Sequence, residues 1–86
     1  MVYSNLETKW KIIMLSAIGC DECAKVYPLA NSYCVKNNIE FQAIPIDEYS
    51  EWTPPTTPGF ILQKNGETVL KTDVWLRFLK KMKGFM

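Results

Sequence analysis

Apolar runs and amphipathic segments alternate along the chain and predict an α/β domain. Trp10 to Ala17 is largely apolar and rich in isoleucine, as is typical of a buried parallel strand. Apolar residues at helical spacing then form one stripe, made of Cys23, Val26, Tyr27, Ala30, Tyr33 and Cys34. The helix should end near Asn37 and Asn38, because asparagine tolerates the left-handed conformation. A second strand follows from Ile39 to Ile46, parallel to the first if the helix crosses between them.

The second half of the chain predicts a loop, a hairpin and a last helix. Residues 47–58 contain three prolines and three threonines and predict a loop with at most one helical turn. Residues 60–64 and 67–71 predict two antiparallel strands joined by the Asn65-Gly66 turn. We expect Asp73 to be the N-cap of a helix whose apolar face comprises Trp75, Phe78, Leu79 and Met82. The predicted order is β-α-β, loop, β-β-α, within a single domain spanning residues 1–86.

Composition excludes several classes of function. The chain of 86 residues is 48% apolar and carries a net charge of +1, so nothing in its charge indicates a nucleic-acid or membrane partner. It has no histidine, which removes the commonest general base and metal ligand. The longest apolar run, residues 12–18, is too short to span a bilayer and lacks a signal-peptide cleavage site. We therefore expect a cytoplasmic monomer.

Cys20 and Cys23 are the candidate reactive residues. Two thiols at this spacing on the first turn of a helix can close a small disulfide ring, and the helix end favours a thiolate on the first of them. The alternatives are two reduced buried cysteines, or half of a metal or iron–sulfur site shared across a dimer. A structural zinc site within one chain would need four ligands, which are not apparent here.

Cys34 is predicted to be a core residue. It follows Cys23 by eleven residues, which places it on the same helix face about three turns away and beyond disulfide reach. A regulatory thiol is the alternative.

The chain resembles the thioredoxin/glutaredoxin superfamily from about Lys11 to its C-terminus. The Cys20-Asp21-Glu22-Cys23 pair lies at the matching strand-to-helix junction, and Pro28 matches the proline that kinks the first helix of thioredoxins. Residues 57–67, TPGFILQKNGE, resemble the family's segment of a proline, a strand and a KNGE turn. The resemblance implies a minimal thioredoxin fold, with a mixed four-stranded sheet and a shortened second helix.

The resemblance also implies roles for individual residues. Cys20 would attack a substrate disulfide and Cys23 would resolve the mixed disulfide. Pro58 would be the family's cis-proline, and the backbone of Thr57 would pair with an extended substrate segment. Further candidate substrate-binding residues are Gly19, Asp21, Glu22 and Trp52. Trp52 can instead cover core that the shortened helix leaves open.

Several positions depart from the family pattern. Gly19 replaces the usual tryptophan before the pair, and Met14 lies where thioredoxins have a buried aspartate. Two acids separate the cysteines, which opposes the Cys20 thiolate and predicts a reducing dithiol. Residues 16–19 lack the base that glutaredoxins carry before their dithiol, which weakens the case for glutathione.

The sequence therefore predicts a cytoplasmic dithiol reductant of protein disulfides with no cofactor beyond its own redox-active disulfide. Ribonucleotide reductase is a family-level expectation for the substrate. Its electron donor would be a thioredoxin reductase, or glutathione as a cosubstrate. The alternatives are a glutaredoxin recycled by glutathione, and a metal- or cluster-binding module.

Overall fold

A computed structural model of the chain describes residues 8–85. Its elements are strands β1 (Trp10–Ser16), β2 (Glu40–Pro45), β3 (Gly59–Lys64) and β4 (Glu67–Thr72), with helices α1 (Asp21–Lys36) and α2 (Trp75–Met82). A short 3-10 turn, Ile46–Glu48, represents the shortened helix. This order is the one predicted from the apolar pattern. No strand end differs from its predicted position by more than one residue.

The four strands form one mixed sheet in the order β2-β1-β3-β4. β1 pairs with β2 in parallel, as a helical crossover requires, and with β3 antiparallel. β3 and β4 form the predicted hairpin, whose turn residues Asn65 and Gly66 have φ of +52° and +87°. Positive φ at both central positions explains the Asn-Gly sequence.

Both helices pack on the same face of the sheet and enclose the main core. The buried aromatic side chains of Phe60, Trp75 and Phe78 lie with ring centroids 5.1–6.0 Å apart. α1 contributes Cys23, Val26, Ala30 and Cys34. Tyr27, which the stripe placed on the buried side, is 45% exposed and instead meets Phe41 edge-on at 5.5 Å.

The opposite face of the sheet is covered by a loop instead of a helix. Ile13, Leu15 and Ile61 form a small buried cluster there, and Tyr49 and Trp52 pack over it. Trp52 also lies under the Lys71 ammonium, which is 5.9 Å from its ring centroid. This packing supports the interpretation of Trp52 as a cover for exposed core.

Phe78→Ala should lower the free energy of unfolding by about 3–5 kcal/mol, because it empties a fully buried aromatic site. Phe85→Ala removes the same atoms from a side chain that is 48% exposed and should cost less than about 1 kcal/mol. Urea unfolding of both variants checks this pair. Equal losses would contradict the assignment of Phe78 to the core.

Candidate functional site

The two cysteines predicted to be reactive form a disulfide at the start of α1. Cys20 and Cys23 are bonded, with their Cα atoms 5.2 Å apart. Cys20 is the N-cap residue, and its sulfur accepts a hydrogen bond from the Cys23 backbone N–H at 3.1 Å. Cys20 is half-buried, whereas Cys23 is 6% exposed and belongs to the main core. An incoming thiol or disulfide therefore reaches Cys20 more readily than Cys23.

A sharp turn brings the chain from β1 to this helix end. Gly19 has φ of +78°, a conformation that residues with a Cβ rarely adopt. The Cys20 N–H donates to the Ala17 carbonyl at 3.3 Å, which closes the turn. Ile18 at the turn is fully exposed. Gly19 thus shapes the turn through its backbone.

The loop that contains Pro58 ends beside this turn. Gly59 is paired with Leu15, so the residues before β3 lie next to those that follow β1. The Thr57–Pro58 peptide bond is cis, and Pro58 is buried. A Cβ at Gly59 would lie 2.6 Å from two Pro54 side-chain carbons, so only glycine allows Pro54 to pack here.

A cavity of about 200 Å³ separates this loop from the two helix starts. Its lining from the helices and the turn before α2 is Glu22, Val26, Asp73, Val74 and Trp75, and from the loop Thr56, Thr57 and Pro58. Three of the predicted substrate-binding residues, Glu22, Thr57 and Pro58, therefore line the same cavity. Trp52 does not line it.

Asp73 does not cap α2 as predicted; the N-cap residue is Val74, which makes no side-chain cap hydrogen bond. The Asp73 carboxylate instead accepts a hydrogen bond from Thr56 Oγ1 at 2.9 Å and lies 3.5 Å from the Arg77 guanidinium. Asp73 therefore ties the loop to α2. Thr56 and Asp73 are 17 residues apart, and no sequence pattern signals such a pair.

The surroundings of Cys23 are apolar. Met14, at the position of the aspartate of thioredoxins, is 2% exposed and lies in the same core cluster as Cys23. Among the described residues, Thr72 is the only buried polar or charged side chain. The described part of the chain therefore offers no buried carboxylate that could accept a proton from Cys23.

Cys34 lies fully buried in the main core, as predicted, with a free thiol. Burial raises its pKa from 9.0 to about 12 because the apolar core disfavours the thiolate. The described residues contain no group of three or more histidine, cysteine, aspartate or glutamate side chains arranged to hold a metal ion. No helix among them has the length and apolar character needed to cross a membrane.

Comparison with solved structures finds the same fold in several thioredoxins. Reduced Schistosoma mansoni thioredoxin pre-protein superposes with a TM-score of 0.75 at 22% identity, over 98% of this chain and 86% of that one. Chlamydomonas reinhardtii thioredoxin f2 gives 0.76 at 12% identity, over 99% and 89%. Plasmodium falciparum thioredoxin gives 0.71 at 20% identity, over 93% and 85%. No protein-family model and no curated protein matches the sequence.

These similarities establish the fold. The chain has a thioredoxin fold in minimal form, as the resemblance in its motifs predicted. A disulfide with Cys-x-x-Cys spacing at the start of the first helix of this fold supports thiol–disulfide oxidoreductase chemistry in general.

Cys34 in the folded, reduced protein should react with iodoacetamide roughly a thousandfold more slowly than an exposed thiol, because its pKa near 12 leaves little thiolate. Mass spectrometry after timed alkylation at mildly alkaline pH measures this rate, and the denatured protein is the control. Rapid alkylation of native Cys34 would contradict its burial.

The free energy of unfolding should fall as pH rises from about 9 to about 12, because the Cys34 thiol loses its proton at lower pH in the unfolded chain than in the folded one. The Cys34→Ala variant should lose less stability over that range.

Proposed function

We propose that the chain is a dithiol reductant of protein disulfides, with Cys20 as nucleophile and Cys23 as resolving thiol. The observation that carries the proposal is the asymmetry of the pair. Cys20 is the accessible N-cap sulfur with a backbone N–H donor at 3.1 Å, and Cys23 is buried one turn along the same helix. Backbone donors and the helix dipole favour negative charge on Cys20.

The reaction transfers two electrons from the dithiol to the substrate. The Cys20 thiolate attacks one sulfur of the substrate disulfide, forms a mixed disulfide, and expels the other sulfur as a thiolate that takes up a proton. Cys23 then loses its proton and attacks the Cys20 sulfur. This step forms the Cys20–Cys23 disulfide seen in the structure and releases the second substrate thiol.

The Thr56–Pro58 loop supplies a surface for the substrate chain. Thr57 lines the same cavity as Glu22, which lies between the two cysteines, and an extended segment could pair with the Thr57 backbone as an added strand. Substrate contact by Gly19, Asp21, Glu22, Thr57 and Pro58 is part of this proposal. Trp52, on the other sheet face, contributes by holding the loop.

The cytoplasm suits a reductant of this kind, since disulfides there are transient. A thioredoxin reductase is the proposed electron donor, with glutathione as the alternative. Ribonucleotide reductase remains the family-level expectation for the substrate. Bound metal or a visible absorption band on purification would instead support the metal- or cluster-binding alternative.

Replacing Cys20 by serine should abolish reduction of a disulfide substrate, because it removes the attacking sulfur. Cys23→Ser should keep the attack and accumulate the mixed disulfide, since nothing resolves it. Insulin reduction and non-reducing mass spectrometry measure the two effects, with Cys34→Ser as the matched control that retains activity. Activity of Cys20→Ser, or no mixed disulfide with Cys23→Ser, would contradict the assigned roles.

Asp21→Asn combined with Glu22→Gln should shift the alkylation profile of Cys20 to lower pH, because two like charges beside the thiolate are removed. A more stable Cys20 thiolate stabilises the reduced form relative to the disulfide, so the reduction potential of the pair should become less negative. Equilibration against glutathione buffers measures the potential. Glu67→Gln, in the remote hairpin, removes one charge as a control and should leave the potential unchanged. A potential that becomes more negative in the double variant would contradict this electrostatic account.

A further inference from the structure

The chain segments before and after Cys20 line two grooves, residues 16–18 one and Glu22 the other, and every charged side chain in these linings is acidic. One is the cavity of about 200 Å³ rimmed by Glu22 and Asp73. The other, a groove of about 380 Å³, lies between the β1–α1 turn and the 3-10 turn, with Asp47 and Glu48 at its rim. Ile18 lines this second groove and is fully exposed.

Few positive charges offset these carboxylates. Arg77 pairs with Asp73, so that charge is largely neutralised. Among residues 8–85, neither Glu22 nor the two acids of the 3-10 turn takes part in an ion pair. Lys25 is one turn farther along α1, on an exposed position. The rims of both grooves therefore keep a net negative charge.

Most of the lysines lie at the opposite end of the molecule. Lys71, the second-last residue of β4, is an exception at the disulfide end, where its ammonium lies 5.9 Å from the centroid of the Trp52 ring. β1 and β4 run towards the disulfide end, while β3 and both helices run away from it. The lysines that lie before β1 or at the far ends of β3 and the helices are Lys9, Lys36, Lys64, Lys80, Lys81 and Lys83. A chain with a net charge of only +1 thus presents a negative end that carries its reactive disulfide.

The apolar part of the cavity of about 200 Å³ suits a side chain with an aliphatic stem. Val26, Pro58, Val74 and Trp75 form its apolar lining, with the Glu22 carboxylate at its edge. A lysine or arginine side chain can bury its methylene stem on such a lining and keep its charge at the rim. An acidic side chain would instead bring like charges together, which opposes binding.

We propose that the preferred substrate is a disulfide-bearing protein segment with basic residues on both sides of its reactive cysteine. This inference rests on the proposed reductant function and adds the substrate class. The segment crosses Cys20 in an extended conformation and places one basic residue near Glu22 and another near Asp47 and Glu48. The negative end of the molecule also orients the encounter, since such fields raise association rates.

Two synthetic peptides test the proposal. Both carry the same disulfide, flanked in one by lysines and in the other by glutamates. Their rates of reduction by the pre-reduced full chain are compared at low and high ionic strength. At low ionic strength the lysine peptide should react at least about 10-fold faster, and salt should bring the two rates together.

The ratio of the two rates separates recognition from thiol reactivity. A change in Cys20 reactivity scales both rates equally, so Glu22→Gln and the double variant Asp47→Asn/Glu48→Gln should each lower the ratio. Glu67→Gln, at the remote hairpin, removes one charge and should leave it unchanged. A ratio near one, a faster glutamate peptide, or a ratio unaffected by these variants would overturn the proposal.

Failure of the proposed function has a different result. If neither peptide is reduced, the proposed reductant function is wrong. The proposed surface for basic segments is then tested by a binding experiment. The same peptides with a thioether in place of the disulfide are titrated against the oxidised chain, and backbone amide shifts are followed. Shifts at Ile18 and Thr57 with the lysine peptide alone would support the basic-segment surface. No shifts with either peptide, or equal shifts with both, would overturn it.

Discussion

The antiparallel pairing of β1 with β3 is the constraint on which the site depends. It sets Leu15 opposite Gly59, so the chain leaving β1 and the chain entering β3 meet at the same edge of the sheet. The first of these chains carries Cys20 and the second carries Pro58. A slip of one residue in this pairing would turn the apolar side chains of β3 to the wrong face and separate the two loops. The register that buries the core therefore also assembles the site.

The two faces of the sheet are stabilised in different ways. One face has two helices and an aromatic cluster around Phe60, Trp75 and Phe78. The other has only the loop after β2, where Tyr49 and Trp52 replace the packing area of a helix. Gly59 is central to this replacement, because any side chain there would collide with Pro54. The same loop continues into Thr57 and Pro58, so the cover of the second face also fixes one wall of the site.

Elements that depend on local patterns could be predicted from the sequence. The apolar run of β1, the helical stripe of α1 and the Asn65-Gly66 turn each contain their own signal, and the cysteine spacing located the disulfide. The failures concern contacts between distant residues. Asp73 fits the local rule for an N-cap, but a hydrogen bond from Thr56 and the nearby Arg77 hold its carboxylate elsewhere. Tyr27 fits the stripe yet faces Phe41 in a strand at the sheet edge. The cavity beside the disulfide is built from three separate segments, which no local pattern could assemble.

The acids beside Cys20 affect reactivity and recognition in different ways. Next to the sulfur, Asp21 and Glu22 oppose the thiolate that the helix end favours. A thiol of higher pKa is less ionised but more nucleophilic as a thiolate, so the loss in thiolate fraction is partly offset. At longer range the same charges act with Asp47 and Glu48 on the approach of a charged partner, over a distance of about 8–10 Å at moderate ionic strength. Acidic neighbours of this kind would make a strong oxidant less oxidising. In the proposed reductant they are compatible with rapid attack on a basic substrate, because the positive charges of the approaching substrate stabilise the Cys20 thiolate.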